Sequence, residues 1–160
     1  MSGSSEISAL VHAVEALAGE HDAFPARLSA AEWQQLAGVM DRLELRPGEL
    51  LLRRGDTTRR AYLVESGQLQ VFVTGGAPRS HRIATLRGGT MVGEPGLFAA
   101  TPRMAHVEAA TACVLWALCA ERLQSLAGVA PALVLEVMRA AGVLMSARMR
   151  ANVERGIPLT

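Results

Sequence analysis

Apolar positions recur at helical spacing near both ends of this chain and in short, strand-like runs between them. Residues 5–19 place Ile7, Leu10, Val11, Val14 and Leu17 on one helical face, and Gly19 ends the run. Glu20 to Pro25 reads as a connector. Ser29, with Glu32 three residues on, predicts a capping box opening a second helix that runs to about Met40, with Trp33, Leu36 and Met40 on its apolar face. Both helices are expected to lie outside the main core. From Leu43 the texture changes to β-like runs over 43–46, 49–53, 61–65, 68–74, 81–86, 90–92, 106–110 and 113–119. Turn chemistry separates them at Pro47-Gly48, Gly55-Asp56, Ser66-Gly67, Gly75-Gly76-Ala77-Pro78 and Gly88-Gly89. Eight short strands at regular spacing predict a sandwich or jelly roll. The run from Ala109 to Leu126 is ambiguous, because its spacing suits one buried helix as well as a strand and a helix. Glu121 to Ala127 reads as a short helix. Pro131 opens another reaching about Ala151, with Val134, Leu135, Val137, Met138, Ala141, Leu144, Met145 and Arg148 on a broad face.

Composition narrows the class. At 160 residues, half of them apolar, the chain suits one domain with a substantial core. A net charge of +1 offers no whole-chain attraction for nucleic acid or an anionic membrane. All 16 basic residues are arginine, and the pairs Arg53-Arg54 and Arg59-Arg60 are expected to be solvated. Cys113 and Cys119, if on one strand, stand about 20 Å apart, too far to bridge. Two free thiols, and a start without a basic leader, point to a reducing cytoplasm. No apolar run has the length of a membrane span. The histidines His12, His21, His81 and His106 do not cluster, and the His-x-His pair of a metal-binding jelly roll is absent, so no metal and no catalytic residues are expected. No Gly-rich loop opens a long helix. The nine residues after Ala151 leave no room for a helix-turn-helix, so no direct nucleic-acid contact is expected.

The candidate chemistry lies between Val92 and His106. Pro95 is pre-set for a helix start, and a short helix there would aim the Gly96 N–H and its positive dipole end at an anion. Arg103 supplies a planar fork for two anion oxygens, and Glu94 an acceptor for a sugar hydroxyl. Gly93-Glu94, the apolar turn and Pro102-Arg103-x-Ala105 together resemble the phosphate-binding cassette of cyclic nucleotide-binding domains. Leu45-Arg46-Pro47-Gly48-Glu49, Arg54-Gly55-Asp56 and Tyr62-Leu63-Val64-Glu65-Ser66-Gly67 follow that family's order, so the resemblance covers roughly Leu36 to Ala151. Within the family, Gly89 to Leu97 is most similar to domains that end bacterial SulP-type anion transporters.

The resemblance implies a mainly β fold with helical ends: a double-stranded β-helix (a jelly-roll-like β-roll) with N-terminal helices, a short cassette helix and two C-terminal helices. It chooses a strand for Cys113 to Leu118. It divides the chain into an N-terminal helix and connector (1–28), a cyclic nucleotide-binding domain (29–151) and a tail (152–160). The implied ligand residues are Gly93, Glu94, Gly96, Arg103 and Met104, with Met138, Leu144, Met145 and Arg148 as candidates for the side chain on the last helix that covers the base. Other readings stand beside these. Arg103 also suits a salt bridge to Glu94, Glu94 a helix-start carboxylate, and the last helix, with its small Ala140, Ala141 and Gly142, a dimer seam. Two departures matter: Pro95 removes an N–H near the sugar and phosphate, and Met104 stands where relatives carry Ser, Thr or Ala. Met104 favours adenine over guanine. The reading is therefore a regulatory domain for cAMP, or another cyclic nucleotide, that signals through its C-terminal helices. Its partner would be the body of a membrane transporter or a second copy of the chain. The alternative is a β-roll scaffold whose pocket binds no nucleotide.

Overall fold

The computed structural model describes residues 3–73 and 82–156. The Gly75-Gly76-Ala77-Pro78 turn, His81 and residues 157–160 of the tail fall outside the described residues. Two helices, α1 (Gly3–Leu17) and α2 (Ala30–Ala37), precede the strands β1 (Met40–Leu45), β2 (Leu50–Leu52), β3 (Arg60–Ser66), β4 (Gln68–Phe72), β5 (Arg82–Arg87) and β6 (Met91–Val92). A single-turn helix α3 (Pro95–Phe98) leads to β7 (His106–Ala109), β8 (Cys113–Cys119), α4 (Ala120–Leu126) and the long α5 (Pro131–Glu154).

The strands form two antiparallel four-stranded sheets, ordered β1-β8-β3-β6 and β2-β7-β4-β5. This is the expected β-roll with helices at its ends. The central strands β3 and β8 resolve the ambiguity of the apolar run. Both are covered on both faces: Leu63, Trp116 and Leu118 point into a core shared with the helices, and Val64, Leu115 and Ala117 into the core between the sheets. A strand buried on both sides reads as a continuous apolar run, so its period-2 signal disappears. 

Ser29 and Glu32 form the predicted capping box, with Ser29 Oγ accepting from the Glu32 N–H at 3.1 Å and Glu32 Oε1 from the Ser29 N–H at 3.0 Å. The helix stops at Ala37 rather than near Met40. Met40 is instead the first residue of β1, paired with Leu118 of β8. Pairing with a central strand outweighs one further helical turn.

The N-terminal helices do not lie outside the core. Ile7, Leu10, Val14, Phe24, Trp33 and Leu36 are buried against Leu63, Met91 and Trp116, so the sheet's outer face is closed by residues the sequence assigned to a flank. The approach of α1 is close. Gly89 holds φ +96°, and a Cβ there would stand 2.5 Å from the Ala13 carbonyl oxygen. Gly89→Ala is therefore expected to strain the turn and push α1 away, costing about 2 kcal/mol or more in urea unfolding. A variant as stable as the parent would show that α1 is not seated there.

Candidate functional site

The α3 turn sits where β6 leaves its sheet. Pro95 occupies its first position, as expected. The Gly96 N–H, expected to face an anion, instead donates to the Gly93 carbonyl at 3.0 Å, while the Leu97 N–H donates to Glu94 O at 3.0 Å and the Ala99 N–H to Pro95 O at 3.1 Å. A turn this short uses its own first amides, which corrects the expectation of a bare donor at Gly96. Gly96 also lies off the cavity wall described below. Its part is steric: a Cβ at Gly96 would stand 2.5 Å from Arg103 Nη2 and 3.0 Å from the Thr58 carbonyl. Gly96→Ala is expected to displace the Arg103 head and cost about 1–3 kcal/mol, read by thermal or urea unfolding.

Arg103 is only 7% exposed. Its Nη1 donates to Gly93 O at 2.9 Å, and its Nη2 to Thr58 O at 2.8 Å and Arg60 O at 2.5 Å. Its backbone is pinned as well, N–H to Asp56 O and carbonyl from the Gly55 N–H, each at 2.7 Å. Three main-chain carbonyls thus hold the head, and no carboxylate lies within ion-pair distance of it among the described residues. Burial pushes the Arg103 pKa below its ordinary value, and the nearby Tyr62, Glu94 and Asp56 act the other way. Nε is the only buried side-chain nitrogen or oxygen without a partner among the described residues.

Glu94, 5% exposed, pairs not with Arg103 but with Arg148 of α5, Nη1 to Oε2 at 2.9 Å. Arg148 also donates to Met91 O at 2.7 Å and Thr90 Oγ1 at 2.8 Å, and its Nε lies 3.6 Å from Asp22 Oδ1. One guanidinium therefore ties α5 to the end of β6, the cassette and the N-terminal connector.

Between the cassette, the inner face of the second sheet and α5 lies a cavity of about 480 Å3. Leu52, Val71, Leu86, Val92 and Val107 make its apolar floor. Gly93, Glu94, Arg103 and Met104 line one end, and Met145 and Arg148 descend from α5. These are the predicted residues the fold brings together. Met138 and Leu144 are not on the wall: Leu144 is 1% exposed in the helix-side core, and Met138 packs against that core.

The sequence missed other members. Asp22 and Thr90 reach Arg148, and Asn152 and Arg155 line the cavity from the end of α5. Arg59, read as solvated, donates from Nε to Gly96 O at 3.3 Å and from Nη2 to Leu97 O at 3.0 Å, placing a cation on the carbonyl end of α3. Nothing local in the sequence marks these residues, since their partners are distant along the chain. 

Among the described residues, no group of three or more His, Cys, Asp or Glu is placed to hold a metal, and no helix is long and apolar enough to cross a membrane.

Comparison with known proteins agrees with this geometry. The family model described as cyclic nucleotide-binding domain matches residues 42–128, more than half of the chain. The regulatory subunit of type II cAMP-dependent protein kinase from Drosophila melanogaster is 30% identical over 91 residues, 57% of this chain and 23% of that protein. The chain thus spans about a quarter of the length of such curated relatives. Among solved structures, a cyclic nucleotide-binding domain from Methylobacillus flagellatus superposes with a TM-score of 0.78 at 21% identity, covering 95% of this chain and 83% of that one. The catabolite activator protein of Thermus thermophilus superposes at 0.68 with 27% identity, covering 81% and 59%. By the family match, with the fold and the ordered landmarks behind it, the chain belongs to the cyclic nucleotide-binding domain family.

Proposed function

We propose that the cavity binds a cyclic purine mononucleotide, cAMP ahead of cGMP, and that its occupancy is reported by the position of α5. The observation that carries this is the unpartnered Nε of Arg103, a buried cationic donor on a residue that lines the cavity. A buried donor without a partner costs about 1–3 kcal/mol, which an anionic ligand oxygen would recover. Charge supports the same reading. Arg103, Arg148 and Arg155 line the cavity against Asp22 and Glu94, leaving one positive charge to meet a single phosphodiester. 

Glu94 would receive a ribose hydroxyl on Oε1, since Arg148 takes Oε2. The apolar floor would receive the base, and Met104 offers no hydroxyl that would favour guanine. The cAMP-dependent regulatory subunits among the relatives point to the same ligand. Because Arg148 joins Glu94 to α5, any ligand that prefers one setting of Glu94 shifts the helix population by its differential affinity.

The binding unit is placed at residues 29–151, with 1–28 and 152–160 flanking it. Asp22 and Asn152, on the wall from either side, argue that both flanks contribute. The output of α5 would be read in the cytoplasm by an attached SulP-type transporter body or by a second copy meeting the exposed Leu135 and Val153. A second reading, a scaffold that binds no nucleotide, draws on two observations: Pro95 has no N–H to give, and the Gly96 N–H is already used. Calorimetric titration separates the two. Saturable one-to-one binding, tighter for cAMP and near micromolar (about −8 kcal/mol), is expected. The absence of heat and of any rise in melting temperature at about millimolar cAMP or cGMP would favour the scaffold.

A further inference from the structure

Seven methionines occur in the chain. Among the described residues two methionines are well exposed, Met104 at 43% and Met149 at 51%, and both line the cavity. By contrast Met40 and Met91 are buried in the helix-side core. Each exposed methionine directly follows an anchored arginine. Arg103 is pinned through its head and backbone, and Arg148 through Glu94, Thr90 and Met91, so both thioethers are held at the cavity rather than left on a loose loop. Met145 completes the wall between them and is half-buried.

From this placement we propose that Met104 and Met149 form an oxidation site for peroxide-class oxidants, and that their conversion to sulfoxides lowers the cavity's affinity for its ligand. The thioether lone pair attacks one oxygen of hydrogen peroxide. The S–O bond forms as the O–O bond breaks, sulfur gives up two electrons, and the proton of the transferred oxygen passes to the departing hydroxide as water. Two consequences act together. A flexible apolar wall becomes polar, and it loses contact with an apolar-faced ligand. A strong new acceptor also enters a space lined by three guanidiniums, where it competes with a ligand anion for their N–H groups. Sulfoxide reductases reverse the change, so the site would make ligand binding answer to oxidant level.

The nucleotide readout of this inference rests on the function proposed above, so the test carries a second probe. The intact chain is treated with hydrogen peroxide, sulfoxides are located by peptide mass spectrometry, and binding of cAMP and of 8-anilinonaphthalene-1-sulfonate, an anion with apolar rings, is titrated before and after. Met104 and Met149 are expected to gain one oxygen each ahead of Met40 and Met91, with affinity for both probes falling about tenfold. The Met104→Leu/Met149→Leu protein, whose volume-conserving changes keep the fold, should resist that loss, and methionine sulfoxide reductases should restore the parent. Oxidation spread evenly over the methionines, unchanged affinity after oxidation, or equal loss in the double variant would each overturn the proposal. A chain that never binds cAMP refutes the nucleotide reading alone, and the naphthalenesulfonate titration then decides this one.

Discussion

Replacing Arg103 with alanine is expected to weaken cAMP binding about 10- to 100-fold, because the ligand loses its charge-assisted donor. The fold does not escape the change. The Arg103 head bonds the carbonyls of Thr58, Arg60 and Gly93. Two terms oppose: three carbonyls lose their donor, while a desolvated cation is taken out of the interior. The first wins because each carbonyl is left poorly solvated. A net loss of about 2 kcal/mol follows, lowering the melting midpoint by about 4–8 °C. Arg103→Lys separates the roles, since it keeps the charge but cannot reach three carbonyls and a ligand with one planar fork. Binding is to be measured well below the variant's midpoint. Undiminished affinity in Arg103→Ala would remove the anion site from this cavity.

The second large effect is expected at Arg148. Alanine there leaves the Glu94 carboxylate, 5% exposed, without its cation and releases α5 from Thr90, Met91 and Asp22. Breaking a fully buried pair costs about 3–5 kcal/mol, and the partial exposure of Arg148 reduces this to about 2–3. Glu94→Gln in the same background should return part of that loss, giving a coupling energy of about 1–3 kcal/mol in a double-mutant cycle on urea unfolding. The functional readout differs from the structural one. In the parent, cAMP should slow amide exchange along α5, whereas in Arg148→Ala ligand should bind about tenfold more weakly and leave α5 exchange unchanged. If ligand still protects α5 in the variant, the helix is coupled to the cavity by another route.

How much of this was legible in the sequence depends on the range of the interaction. The Ser29–Glu32 capping box spans three residues and was read correctly. Glycine-marked turns between β-like runs predicted the eight strands of the β-roll. The helix ending at Ala37 was misjudged, because Met40 sits equally well on the helical face and opposite Leu118, and only the sheet decides between them. For β8, local spacing permitted a helix. Burial on both faces hides alternation, and the order of cassette landmarks, not periodicity, indicated a strand. The cassette itself was legible as a set of residues and misleading as a set of bonds. Gly93, Glu94, Arg103 and Met104 do meet at one cavity, while Gly96 spends its N–H inside the turn and serves by lacking a Cβ.

What the sequence determined by itself is therefore the order of its elements and the residue types gathered at the cassette, since turn preference, capping and hydrophobic period act over a few positions. What only the tertiary structure decided is who holds each charge. Arg103 reaches Thr58 across 45 residues, Arg148 reaches Glu94 across 54, and the N-terminal connector brings in Asp22. Hydrogen bonds and ion pairs depend on where atoms lie in space, and chain order carries no local trace of partners so far apart.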